Sequence, residues 1–204
     1  MEKSRLEAFS DGVFAIAITL LVLELAIPSL EEADKAGGLA RALGDHWASY
    51  AAYIVSFAII GIMWVNHHAI LHTVARVDRP LLFLNLLLLM FIAVLPFPTA
   101  LLAEHLESRG SHVAAAIYSG NMLGCAIGFN ALWRWIVHDQ RLLHAHIDHK
   151  EARAGRGRFA IGVLVYAATV GLAFLHAKLT LAVHGLIAIY YVFDQLSVKE
   201  KTSS

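Results

Sequence analysis

The feature that most constrains this chain is a series of long apolar runs that are almost free of charge. In the first run, residues 12–27, only Thr19 and Glu24 interrupt the apolar sequence. A helix needs about 20 such residues to cross a hydrocarbon core roughly 30 Å thick. Of the 204 residues 58% are hydrophobic and 16% are charged, whereas about a quarter of a soluble domain is charged. We therefore expect an integral membrane protein.

Six runs are long enough to span a membrane. We place them at residues 6–28, 47–71, 80–103, 112–137, 159–177 and 179–196. Each must be helical, because backbone groups in lipid need hydrogen-bond partners within their own segment. The sequence therefore predicts an all-α protein with one six-span transmembrane domain over residues 1–204.

Local signals refine these six helices. Ser4 and Glu7 have the spacing of a capping box at the start of the first helix. Pro96 and Pro98 are expected to bend the far end of the third. Little more than residues 176–178 separates the last two spans, which predicts a tight helical hairpin.

The lysines and arginines set the expected orientation. Six spans put both termini on one side, and twelve of the 16 basic residues then lie on that side. Because basic residues concentrate on the cytoplasmic side, both termini are expected in the cytoplasm, with the protein in a cell membrane. The formal net charge of zero indicates no binding surface for nucleic acid, and the single cysteine, Cys125, permits no internal disulfide.

Polar residues at the start of the first span need partners. An ionisable residue near the membrane, such as Asp11, is by default a functional candidate. Arg5 lies six positions away and so does not meet Asp11 on one helix face. The second span offers polar groups at the same depth, which predicts a network joining the two helices through Trp64, Asn66, His67 and His68.

An apolar stripe lies further along the first span. At about 100° per residue, Ile16, Leu20, Leu23 and Ile27 fall on one narrow face. Thr19 and Glu24 lie on its two shoulders. By its spacing alone, such a stripe is more often core packing or a lipid-facing surface.

The spacing Arg5-x-x-x-Phe9-Ser10-Asp11 resembles the signature of the transmembrane protein 175 family, which includes the lysosomal potassium channel and its bacterial relatives. The cluster around Trp64, the six spans and the cytoplasmic termini agree with that family. The resemblance implies that the motif is a structural network holding the first helix against its neighbours. The single copy of the motif resembles the bacterial homotetramers, which implies a homotetramer in a bacterial inner membrane.

The resemblance also implies a function for the apolar stripe. The first helix of each subunit would line a central pore, with a constriction at Ile16 followed outward by Leu20 and Leu23. Thr19 matches a position linked to selectivity, and Glu24 is a candidate for the outer mouth. The expected activity is a weakly to moderately selective, potassium-permeable cation channel that is not an enzyme and needs no cofactor or metal.

The gating expectation follows from physical chemistry. No loop suitable for a carbonyl-lined filter occurs, and helical carbonyls are already paired. Rings of isoleucine and leucine can close a narrow pore by excluding water. Selectivity is then expected to be modest.

Two alternatives remain open from the residues alone. A small secondary transporter would use polar groups near the membrane midplane, for which the sequence offers Asn85, Ser119, Asn121 and Asn130. A haem or metal membrane protein would use histidines. His68 and His72 are four residues apart, a spacing that suits a metal, but His176 and His184 lack clear partners.

Overall fold

The computed structural model describes residues 2–138 and 142–193, and the regular structure there is helical apart from isolated bridge residues, which include the antiparallel pair Val74 and Leu143. The helices are α1 (Lys3–Leu20), α2 (Leu30–Ala36), α3 (Leu39–Asp45), α4 (Trp47–His72), α5 (Arg79–Val94), α6 (Pro96–His105), α7 (Ser111–His138), α8 (His149–Leu175) and α9 (Ala177–Phe193).

Within the described residues, four helical segments are long and apolar enough to cross a membrane. They are Lys3–Glu24, Trp47–His72, Arg79–His105 and Gly155–Leu175. The apolar segment Ala177–Tyr191 is shorter. Helix α7 has 28 residues, but its sequence includes serine, asparagine and glycine as well as apolar residues. The chain is therefore an all-helical, multi-pass membrane protein with four candidate spans.

The start of α1 differs from the prediction. The helix begins at Lys3 with Glu2 as its N-cap, and no side chain caps it. Ser4 therefore lies inside the first turn, and the Glu7 carboxylate lies 3.6 Å from Lys3 Nζ. The predicted capping box at Ser4 was wrong, because the helix begins two residues too early for the Ser4 hydroxyl to cap its free amides.

The far end of the first span also differs. The α-helix ends at Leu20, a 3₁₀ turn covers Leu21–Glu24, and Leu25 is extended. Ser49 Oγ, near the start of α4, donates to Glu24 O and accepts from Ala26 N, both at 3.0 Å. These bonds pair backbone groups that the helix end leaves open. The helical segment, with its 3₁₀ turn, thus ends at Glu24, four residues before the predicted end at residue 28, and Ile27 lies beyond it.

Other boundaries confirm some expectations and correct others. The third span is interrupted at Leu95, with Pro96 opening α6, as predicted. Only His176 separates α8 from α9, which confirms the tight hairpin. The fifth helix begins at residue 149, ten residues earlier than predicted, because Asp148 caps it by accepting from Lys150 N. The loop after the first span holds α2 and α3, which were not predicted.

Small residues let α7 pack closely against α5. A Cβ atom at Gly124 would collide with the ring of Phe91, and one at Gly128 would lie 3.1–3.2 Å from Leu88. Close approach at small residues is the usual way that membrane helices associate. Helix α7 buries one side along α8, while α1 packs on α4 and α5. This arrangement leaves the opposite face of α1 open.

Candidate functional site

Helix α1 has one buried face and one exposed face. The buried residues recur every three or four positions, as a helix face requires: Leu6, Ser10, Phe14, Ala17 and Leu21. They rest on α4 and α5. The residues predicted to line a pore are on the other side of the helix.

The apolar stripe of α1 is exposed in the subunit. Ile16 is 61% exposed, Leu20 40% and Leu23 74%. Leu23 belongs to the 3₁₀ turn, so the stripe continues past the end of the α-helix. Three branched apolar side chains on one exposed face must be covered by lipid or by another subunit, or must face the axis of a pore.

A second stripe of small residues runs beside the first. Its members recur at intervals of four, three and four, and all are exposed: Ala8, Gly12, Ala15 and Thr19. A Cβ atom at Gly12 would meet nothing within 4 Å. Small residues at helical spacing allow two membrane helices to approach closely. The exposed face of α1 therefore has the composition of a helix-packing surface as well as an apolar one.

The Thr19 hydroxyl is hydrogen-bonded to the backbone of its own helix. It donates to Ala15 O at 2.8 Å and lies 3.0 Å from Ile16 O. A hydroxyl has one proton but two acceptor lone pairs. With the proton used by the backbone, the Thr19 oxygen can only accept, which suits a cation better than an anion.

Asp11 is tied to the second long helix. Trp64 Nε1 donates to Asp11 Oδ1 at 2.9 Å, which joins α1 to α4. Both residues are exposed in the subunit. A hydrogen bond to an ionised carboxylate is stronger than one between neutral groups. This contact fixes the rotation of the first turns of α1 relative to α4.

Ser10 begins a buried chain of hydrogen bonds through three helices. His67 Nε2 donates to Asn85 Oδ1 at 2.7 Å, and Asn85 Nδ2 donates to Ser10 Oγ at 3.0 Å. The Ser10 hydroxyl then donates to Leu6 O at 2.9 Å. The three side chains are at most 1% exposed. The chain links α4, α5 and α1 in one polar contact inside an apolar core.

The sequence did not assign two members of this network. The Phe14 ring lies 5.3 Å from the His67 ring, centroid to centroid, and Asn85 bridges His67 to Ser10. Asn85 was noted in the sequence only as weak support for a transporter. Its signal is a lone amide in a leucine-rich run, which needs a polar partner wherever it is buried.

The remaining predicted network residues are not part of this contact. Phe9 is 53% exposed and Arg5 is exposed on the same side of α1. Asn66 faces away from α1 and lines a cavity among α4, α7, α8 and α9. The His68 ring is exposed and lies 6.1 Å from the Trp64 ring of its own helix.

Glu24 lies at the end of the molecule where α4 begins, which is also the end that holds Glu107. Its side chain is half-buried at the end of the 3₁₀ turn. At the same end, Lys178 Nζ donates to Glu107 Oε1 at 2.7 Å and stands over the Trp47 ring. This ion pair lowers the pKa of Glu107, and hydrogen bonds from Ser29 lower the pKa of Glu32. Both groups are therefore ionised at neutral pH.

The histidines do not converge on a metal site in the part of the chain that the structure describes. No group of three His, Cys, Asp or Glu side chains there has the geometry to hold an ion. His184 instead accepts or donates a hydrogen bond with Ser119 at 3.0 Å and packs between the rings of Tyr118 and Tyr166.

Comparisons with known proteins find a matching family and similar chains. A sequence model of the family described as "Endosomal/lysosomal potassium channel TMEM175" matches residues 5–96. A potassium channel of Streptomyces collinus is 57% identical over 204 residues, covering 100% of this chain and 98% of the relative. A potassium channel of Chamaesiphon minutus is 45% identical over 190 residues, covering 93% of each.

A solved structure has the same fold. It is the crystal structure of a lysosomal potassium-selective channel TMEM175 homolog from Chamaesiphon minutus. It superposes with a TM-score of 0.87 at 42% identity, covering 96% of this chain and 99% of that one.

Proposed function

Because the chain belongs to the TMEM175 family, we propose that it is a potassium-permeable channel whose pore is lined by α1. The family consists of ion channels, and the chain is a channel rather than an enzyme. Relatives named potassium channels match nearly its whole length. The proposals below concern how this chain carries out that activity.

The observation that carries the pore proposal is the exposed face of α1. One side of α1 is fixed to α4 and α5 through Asp11 and Ser10. The other side presents Ile16, Leu20 and Leu23 next to a stripe of small residues. A face turned only toward lipid has no need of small residues, whereas several copies of α1 around an axis need both close approach and apolar side chains.

We propose four subunits around that axis, as the resemblance to the bacterial members implies. In each, α7 and α9 would cross the membrane beside the four candidate spans, giving six crossings and cytoplasmic termini. The excess of basic residues on the side that holds the termini supports this orientation. Arg5 and Phe9 share the exposed side of α1 and would contact a neighbouring subunit.

Ile16 would form the narrowest ring of this pore. An apolar ring excludes water and so raises the barrier to a hydrated ion until the ring widens. The Thr19 oxygen would face a passing cation one turn further out, as an acceptor. Glu24 and the ionised Glu32 carboxylate in the following helix would concentrate cations at the outer mouth.

The polar residues that a transporter would need for its substrate are hydrogen-bonded within the protein, which counts against the transporter alternative. Asn85 bridges α1 and α4, Ser119 bonds to His184, and Asn121 Nδ2 donates to Phe91 O at 3.1 Å. These groups serve contacts between helices. A substrate site would need such groups to be available to a ligand.

Recordings from purified protein in liposomes test the proposed function. A channel gives discrete single-channel currents that rise linearly with voltage, with a reversal potential that follows the potassium gradient. Sodium in place of potassium should shift the reversal potential moderately. A potassium flux that saturates with concentration and shows no unitary currents would instead support a transporter.

A further inference from the structure

A second cavity lies away from the exposed face of α1. Its volume is about 290 Å³, and it opens between α5, α7 and α8. Its lining consists of Leu84, Ala131, Arg134, Trp135, His138 and Arg156. These residues lie in the last two turns of α7 and near the starts of α5 and α8, at the basic end of the helices.

The cavity is built for negative charge. Arg134 and His138 are exposed at its mouth, and Arg156 is half-buried in its wall. Arg156 Nε is fully buried and has no hydrogen-bond partner among the residues that the structure describes. A buried guanidinium nitrogen without an acceptor is costly. The site therefore has two arginines lining one space, one of which has a buried nitrogen that no described residue pairs.

One wall of the cavity is apolar. Leu84 and Ala131 contribute aliphatic surface, and Trp135 contributes an indole. Trp135 Nε1 donates to both carboxylate oxygens of Asp78, at 3.2 Å each, which holds the ring in place. Tryptophan beside basic residues is typical of the level where lipid headgroups meet acyl chains.

We propose that this cavity binds the phosphate headgroup of an anionic phospholipid. Arginine suits phosphate because its planar fork donates two parallel hydrogen bonds. Basic pockets between membrane helices at the cytoplasmic side bind anionic headgroups. A lipid satisfies both parts of the cavity, since its phosphate pairs with the arginines while its acyl chain covers Leu84 and Trp135. The lipid would join α5 to α8 across α7, independently of ion conduction.

Native mass spectrometry of the purified protein tests this proposal. The protein is mixed with phosphatidylglycerol or with phosphatidylcholine of the same acyl chains. The wild type should retain phosphatidylglycerol in preference. Arg134→Gln should weaken this retention roughly fivefold, the effect of one basic residue at a lipid surface. Because Arg134 is exposed, the variant keeps its packing, and an unchanged melting temperature verifies this.

Two further variants serve as controls. Arg153→Gln removes the same charge from α8 at an exposed position that does not line the cavity, and it should leave retention unchanged. Arg134→Lys keeps the charge and should retain most of the lipid. If Arg153→Gln weakens retention as much as Arg134→Gln, diffuse surface charge holds the lipid and the proposal is overturned.

A last measurement separates a lipid from a free anion. Millimolar inorganic phosphate, added to the complex with phosphatidylglycerol, should leave the lipid bound because it cannot replace the acyl-chain contacts. Complete displacement by inorganic phosphate would identify a site for a soluble anion and overturn the assignment to lipid.

Discussion

Ser10 and Asp11 are neighbours in sequence, yet each is bound to a different helix. Ser10 is fully buried and reaches α5 through Asn85, whereas Asp11 is exposed and reaches α4 through Trp64. A turn of about 100° between successive helical residues separates the two directions. Two adjacent polar residues thus fix both the position and the rotation of α1.

Thr19 is the residue that we expect to influence ion preference. Thr19→Val keeps the side-chain shape but removes the acceptor oxygen, so the preference for potassium over sodium should fall. The loss of one such contact is worth about 1 kcal/mol, or roughly fivefold. Reversal potentials measured with potassium on one side and sodium on the other report this ratio.

Thr169→Val is the matched control for that measurement. Thr169 is also bonded back to its own helix, with Oγ1 donating to Tyr166 O at 2.8 Å, but it is buried in α8. Its replacement should leave the reversal potential unchanged. An equal shift in both variants would show that Thr19 acts through stability rather than through the ion.

The residues of the site differ in how far their contacts could be predicted from the sequence. Asp11 needed a partner, and the expectation that the second span would supply it rests on matched depth. Asn85 could not be assigned, because the spacing within α5 does not encode which residue of α1 lies opposite. Asn66 was expected in the same network, but residues adjacent on a helix point in different directions and Asn66 faces α8.

At the scale of elements, α1 is held by polar contacts on one face and left open on the other. Its contacts with α4 and α5 include two side-chain hydrogen bonds, and its far end is pinned by Ser49. This rigid attachment determines which residues the open face presents. A substitution that weakens this attachment should therefore reduce the assembly of the channel and leave its ion preference unchanged.

Replacement of Asp11 tests that order of effects. Asp11→Ala removes the acceptor for Trp64, which costs about 0.6–1.5 kcal/mol for a hydrogen bond of this kind in a membrane. The yield of assembled protein in size-exclusion chromatography should fall, while the selectivity of the channels that do assemble should be unchanged.

Asp11→Asn is the conservative control, because its amide oxygen still accepts from Trp64 Nε1. Its yield should lie between those of the wild type and Asp11→Ala. A fully assembled Asp11→Ala channel with altered ion preference would contradict the structural assignment and place Asp11 in the ion pathway.

The sequence predicted a helix boundary correctly where the length of an apolar run determines it. It did not do so where a local contact determines the boundary. The start of α4 and the extent of α7 agree with the predicted spans to within one residue. The first span was predicted too long because the bonds of Ser49 to Glu24 and Ala26 end it. Helices α2 and α3 were missed because they lie outside the apolar runs and are only seven residues each.

At the scale of the whole molecule, the central question is what covers the exposed face of α1. Apolar character by itself is shared by a face toward lipid and a face toward a pore axis. For the same reason the stripe at Ile16 did not by itself imply a pore, and the motif around Asp11 was needed. The small residues beside the stripe are the structural reason to prefer an axis.

The proposed function depends on Ile16 facing the pore and closing it to water. Ile16→Asn should wet the ring and raise the potassium current per reconstituted protein about tenfold, equivalent to a barrier lower by about 1.4 kcal/mol. Ile54→Asn is the matched control, since Ile54 on α4 is 63% exposed in the subunit and Ile16 is 61%.

Potassium current through these two variants, compared with the wild type in the same liposomes, is the most direct test. The account predicts a large rise for Ile16→Asn and none for Ile54→Asn. Equal currents in the two variants, whether both unchanged or both raised, would contradict it.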